Sequence, residues 1–280
     1  MSELLLVVAV ALAALAYWCG LQRLWDRAGP GRVTRTWQAA CFAAGLATLL
    51  VAATGPLDHL AAERLWGHMV QHVLLLAVAA PLLVLGNPLP TLLWALPARR
   101  REQAAAVSRR VAHTHATAAG WSMFVAGALA VQSVALWAWH APGPYQAALA
   151  SDWVHGLEHF SFLGAALLFW WAVAGARRRS LYGPGVVAVF LVALQGTLLG
   201  VFMTLARSPW YPTYAVPARS GQTPLEDQQL AGVIMWGPGG ALYLLAAVML
   251  FAAWLGGQGG HGEKARAETG VLVRGAPVGR

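Results

Sequence analysis

The chain has 280 residues, 58% of them apolar and only 11% charged, with a mean hydropathy of +0.56. Soluble domains carry about a quarter charged residues, so there is too little polar surface here to coat a water-soluble fold, and a cytosolic enzyme is excluded. The net charge of +8 would suggest nucleic acid in a soluble chain; in a membrane chain it is read first by side of the bilayer, and no nucleic-acid partner is expected.

Seven apolar stretches follow one another, at 3–22, 36–54, 66–86, 117–140, 153–174, 185–206 and 229–255. Each approaches the ~20 residues needed to cross a bilayer. Their continuous Leu, Ala and Val runs lack the alternation of a barrel strand, and a helix satisfies its own backbone in lipid. The predicted fold class is therefore all-α, a polytopic bundle of seven transmembrane helices forming one domain over residues 1–255. The first stretch lacks a basic start, since Glu3 precedes it, and has no early small-residue cleavage site. It is expected to stay as a permanent helix rather than act as a signal sequence. Pro81 and Pro88, in PLLVLGNPLP, should kink and then end the third helix. Gln195 in the sixth reads as an interhelical hydrogen bond. The Gly-rich, charged stretch 256–280, which holds His261, is expected to be disordered. Cys19 and Cys41 read as small, reduced core residues, because two thiols make neither a disulfide framework nor a four-thiolate metal site.

The connections sort by charge. Arg23, Arg27, Arg32 and Arg35, then Arg99, Arg100, Arg101, Arg109 and Arg110, then Arg177 to Arg179, and finally Lys264, Arg266, Arg274 and Arg280 make sixteen positives on one side. Only Arg64, Arg207 and Arg219 fall on the other. Positive charge stays inside, which predicts an outer N-terminus and a cytoplasmic C-terminus.

With that orientation five histidines fall in one outer layer. His68 and His72 open the third helix in WGHMVQH, His140 closes the fourth in LWAWHAPGPY, and His155 and His159 open the fifth in WVHGLEH. His59 adds an outer-loop imidazole, and His113 and His115 sit in a polar cytoplasmic connection. Residues i and i+4 share a helical face, so each four-apart pair is a ready bidentate clamp. Neutral imidazole suits copper, zinc and iron, whereas calcium and magnesium want oxygen cages. Ionisable groups in a span usually face the bundle interior and find partners there. Glu158, between the second pair, and Asp227, which opens the seventh helix in LEDQQLAGVIMW, are candidates to accept a second imidazole N–H and fix its tautomer. Met235 is a candidate soft ligand favouring Cu(I). The expected metal set is thus His68, His72, His140, His155, His159, Glu158, Asp227 and Met235, with copper, zinc and iron all open as the ion.

At these residues the sequence resembles the CtaG-type cytochrome c oxidase assembly factors, seven-helix bacterial membrane proteins. The likeness spans roughly residues 50 to 250 and is carried by GHMVQHVLLLAVAAPLLVLGNP, by WHAPGPYQAAL running into HGLEHFSFLGAALLFWW, and by DQQLAGVIMWGPG. His68, His72, His140, His155, Glu158, His159, Asp227 and Trp236 stand where the family's motif residues stand. The resemblance implies a bacterial inner-membrane protein, not an enzyme, that matures a haem-copper terminal oxidase by supplying copper to one of its subunits.

Two other readings use the same residues. A membrane oxidoreductase would ligate b-type haem through paired histidines on different helices, but the two i,i+4 pairs place more imidazoles in one layer than a haem can use. A proton or small-ion pathway would use the histidines, Glu158 and Asp227 as relays, but apart from Gln195 the inner half offers little polar continuity.

Overall fold

The computed structural model describes residues 3–114, 117–175, 182–211, 214 and 222–256. Within them eleven helices follow in order: α1 Glu3–Ala28, α2 Thr36–Ala53, α3 Pro56–Glu63, α4 Leu65–Leu85, α5 Pro88–Ala95, α6 Ala98–Thr114, α7 Ala118–His140, α8 Pro142–Ala150, α9 Asp152–Ala174, α10 Tyr182–Leu205 and α11 Pro224–Gly256. Seven of these, α1, α2, α4, α7, α9, α10 and α11, are long and apolar enough to span a membrane, in agreement with the seven predicted stretches. The four short helices lie in the connections. The polar connection holding His113 is itself helical, as α6; the side chain of His113, the whole of His115 and the stretch 257–280 with His261 lie outside the described residues.

Helix α4 is the centre of the bundle. Just over half of its best apolar window, 56%, is buried, more than in any other span, and it touches α2, α3, α9 and α11. On one side Tyr17 and Leu21 of α1 and Phe42 and Leu46 of α2 pack with its Leu75, Ala79 and Leu83. On the other, Phe162, Phe169 and Trp170 of α9 pack with Val189 of α10 and Tyr243 of α11. A third cluster near the His-rich end joins Leu65, Met69, Tyr145, Met203, Tyr211 and Met235. At Gly200 and Gly232, α10 and α11 approach so closely that a Cβ on Gly200 would sit 2.7 Å from the Gly232 carbonyl oxygen. Small residues at such crossings are what allow close helix packing in lipid.

Pro81 acts one turn earlier than a simple kink would place it. Residues Leu74–Ala79 form a π-helical turn, in which the Ala80 N–H reaches back five residues to the Leu75 carbonyl. The next donor in that register would be residue 81, a proline with no N–H. The Leu76 carbonyl is thereby released, and the Trp170 indole N–H donates to it at 2.8 Å. A second π turn, Met235–Gly239, contains Pro238 and interrupts α11. Helix α4 ends through Asn87, a non-glycine residue with positive φ (50°), just before Pro88 opens α5, as the prolines predict.

The two ends of the bundle differ in charge. Glu3 and the histidines share one end, where Glu3 lines a cavity with Asp58 and His155. At the other, Arg23 donates to the Ala95 carbonyl at 2.9 Å and Arg101 lies 4.1 Å over the Trp94 ring. Gln195 bridges helices as expected, accepting from the Trp137 indole at 3.1 Å. Cys19 and Cys41 are free.

Candidate metal centre

The start of α4 is held from a distance in sequence. Asp227 of α11 accepts the Leu65 N–H at 2.9 Å and the Trp66 N–H at 3.4 Å, so its carboxylate satisfies two of the unpaired donors that open every helix. Sequence reading put this carboxylate against an imidazole; in the structure its partners are backbone amides. Helix α11 does not need Asp227 as its own cap, because Thr223 and Glu226 close a capping box there.

One turn beyond that anchored start, His68 and His72 come round on the same face, and their Nε2 atoms are 2.9 Å apart. Facing them from α9 are His155, Glu158 and His159, which share a face because they are spaced i, i+3 and i+4. Glu158 is fully buried and central rather than peripheral: its Oε2 lies 3.5 Å from His68 Nε2 and its Oε1 3.5 Å from His72 Nε2. One ligand atom from each of His68, His155, Glu158 and His159 falls within 4.8 Å of all the others. The imidazoles form a continuous cluster, with ring centroids 4.3 Å apart for His155 and His159, 5.2 Å for His68 and His155, and 5.6 Å for His72 and His159.

His140 joins at the far side of His72, with ring centroids 5.4 Å apart. Its Nδ1 is 2.7 Å from the Leu136 carbonyl oxygen. A carbonyl only accepts, so Nδ1 carries the proton and Nε2 presents a bare lone pair. The His140 carbonyl in turn accepts from the Tyr211 hydroxyl at 2.8 Å. Met235, from the π turn of α11, lines a small cavity with His72 and His140. Trp236 points outward and is 41% exposed, a surface for lipid rather than a wall of the centre.

What distinguishes the cluster is its unmet hydrogen-bonding capacity. Both Glu158 oxygens, Nε2 of His140, His155 and His159, and Nδ1 of His72 are buried without a hydrogen-bond partner. Each such atom costs about 1–3 kcal/mol if left alone, and a single cation among them would satisfy several at once. The residues present therefore fit a bound metal, and the nitrogen and oxygen donor set suits a borderline transition metal rather than calcium or magnesium.

Several neighbours were not singled out from sequence. Tyr145 is fully buried with its ring 5.2 Å from that of His68; it lies inside the WHAPGPY motif, whose tyrosine was the available signal. Burial pushes its phenol, and those of Tyr211 and Tyr214, above the usual range, so all three stand as neutral hydroxyls. Asp58 accepts from Gln71 at 3.0 Å and, with Glu3 and Asp152, lines a cavity of about 380 Å³ that reaches His155 and His159. Gln132 lies eight residues before His140 on the same face of α7 and lines the small cavity with it; that spacing was legible.

Compared with known proteins, residues 15–256 match a family described as cytochrome c oxidase caa3 assembly factor. No curated protein and no solved structure matches the chain.

Proposed function

The chain belongs to the cytochrome c oxidase caa3 assembly factor family, and from that premise we propose that it binds copper at the His/Glu centre and delivers it to a subunit of a haem-copper oxidase. The observation that carries this reading is the convergence of ligand atoms from His68, His155, Glu158 and His159 within 4.8 Å, of which Nε2 of His155, Nε2 of His159 and both Glu158 oxygens are buried without a hydrogen-bond partner. His72 stands at the edge of that set and can exchange with His68, and Asp227 positions the pair by holding the start of α4. Imidazole and carboxylate ligands release copper more readily than a closed thiolate cage, which suits a protein that passes its metal on.

The asymmetry of positive charge supports an N-terminus outside and a C-terminus in the cytoplasm, with the centre in the outer leaflet of a bacterial inner membrane. Copper then arrives from the extracytoplasmic side. A b-type haem is the weaker alternative: His68 and His72 touch through their Nε2 atoms at 2.9 Å, and the cluster gathers more imidazoles than the two axial positions of a haem can use.

The test is metal analysis with a reduced-minus-oxidised spectrum on the detergent-purified chain. The wild type should retain copper without a Soret band, and His155→Ala with His159→Ala should lose the nitrogen- and oxygen-bound ion. Unchanged copper content in that double variant refutes the site, and a reducible Soret band in the wild type favours haem.

A further inference from the structure

Beyond His72, away from Glu158, lies a second chamber. It has a volume of about 50 Å³ and is walled by His72, Gln132, His140 and Met235 among apolar side chains. His140 and Gln132 are only 3% and 2% exposed, and the Nε2 of the first and the Oε1 of the second have no hydrogen-bond partner. Both atoms are lone-pair donors, the histidine nitrogen necessarily so because its other nitrogen is committed to the Leu136 carbonyl. The Met235 thioether adds a soft, polarisable donor to the same wall. Two buried, unpartnered lone-pair donors on residues lining one apolar chamber call for something electropositive to satisfy them, either a water donating its protons or a cation.

We propose that this chamber is a second copper station, holding Cu(I) through His140 Nε2 and the Met235 sulfur, with His72 as the partition between it and the His/Glu centre. The proposal rests on the reading that the neighbouring centre binds copper, and it adds a direction and a valence to that reading. Imidazole with thioether is a soft donor pair that selects Cu(I) over zinc and over harder cations. The size agrees, because a chamber of about 50 Å³ accommodates an ion and one further small ligand, not an organic cofactor. The position agrees as well, since the chamber lies between α4, α7, α10 and α11, with Gly196, Gly239 and Gly240 in its wall. A Cβ on Gly196 would meet nothing within 4 Å, whereas one on Gly239 would meet Val73 at 3.2 Å and one on Gly240 would meet Thr197 at 3.3 Å. Passage from the first station to the second is ligand exchange around one imidazole. Valence is unchanged, so no oxidant or reductant is required.

The experiment is anaerobic titration of the detergent-purified full chain with Cu(I) against a chromogenic chelator, paired with copper X-ray absorption. The wild type should take up two equivalents, one of them with a sulfur scatterer. Met235→Leu, a conservative change in volume, should lose one equivalent and the sulfur signal together, and His140→Ala should lose the same equivalent by removing its nitrogen ligand. The His155→Ala, His159→Ala double variant should keep the sulfur-bearing equivalent while losing the other. Two equivalents retained in Met235→Leu, or a single sulfur-free equivalent in the wild type, overturns the second station and leaves the chamber to water while the His/Glu centre stands. Absence of any copper in the wild type overturns both readings.

Discussion

Removing the Asp227 carboxylate should weaken the protein through a helix that Asp227 does not belong to. In Asp227→Ala the Leu65 N–H loses a buried, charge-assisted bond of 2.9 Å and the Trp66 N–H a longer one of 3.4 Å. The first contributes about 2 kcal/mol and the second less than about 1 kcal/mol, given that hydrogen bonds to charged groups are worth about 1.5–3 kcal/mol and weaken with length. The capping box of Thr223 and Glu226 keeps α11 itself intact, so the loss falls on the first turn of α4, one turn before His68. A total of about 2–3 kcal/mol corresponds to a fall of about 5–10 °C in Tm for a chain of this size. Tryptophan fluorescence during a thermal ramp in detergent measures it. Asp227→Asn should fall part of the way, because its amide keeps one acceptor and turns a donor toward the other N–H. A Tm within about 1 °C of wild type for Asp227→Ala would refute the assignment, since such a value is what a solvated surface carboxylate would give.

Two further outcomes follow from buried polar groups. Trp170→Phe leaves the Leu76 carbonyl, freed by the π turn, without its 2.8 Å donor while keeping an aromatic ring for the stack on Tyr243, where the centroids are 5.6 Å apart; the expected cost is about 1–2 kcal/mol, read as a lower Tm, whereas Trp153→Phe, on a residue 79% exposed, should change little. The raised phenols of Tyr145, Tyr211 and Tyr214 mean that above about pH 10, the ordinary tyrosine pKa, the folded chain binds more protons than the unfolded one. Stability is then fully present below that pH and is lost as pH rises, and a denaturation midpoint that stays flat from about pH 9 to about pH 11.5 would contradict the burial of these hydroxyls.

The spans were legible because hydropathy over about 20 residues is a strong and local signal. The histidine layer was legible for a related reason, since spacing of four on a helix fixes a shared face whatever the tertiary structure. The short helices Pro56–Glu63 and Pro142–Ala150 were not. Each has eight or nine residues at the bundle's end, too few for a periodic pattern to stand out from a loop rich in proline and alanine. The role of Asp227 was hidden because its partners lie 161 and 162 positions away, and nothing in LEDQQL says which helix its carboxylate will meet. Glu158 was placed correctly near the histidines, but its position between His68 and His72 depends on how α4 and α9 rotate against each other, which is set by the core packing of Phe162, Phe169 and Trp170.

The π turn at Leu74–Ala79 sets the angular phase between the two halves of α4. Each residue of an α-helix advances its side chain by about 100°, so the single extra residue taken up in the wide turn decides which way the N-terminal half points once Leu83 and its neighbours are fixed against α2. Shortening the segment by one residue would preserve length, hydropathy and helicity almost unchanged, yet would swing the whole N-terminal half, imidazoles included, by roughly a quarter of a revolution. Chain length in this one stretch is therefore as much a determinant of whether the His/Glu cluster can assemble as the identity of the histidines themselves.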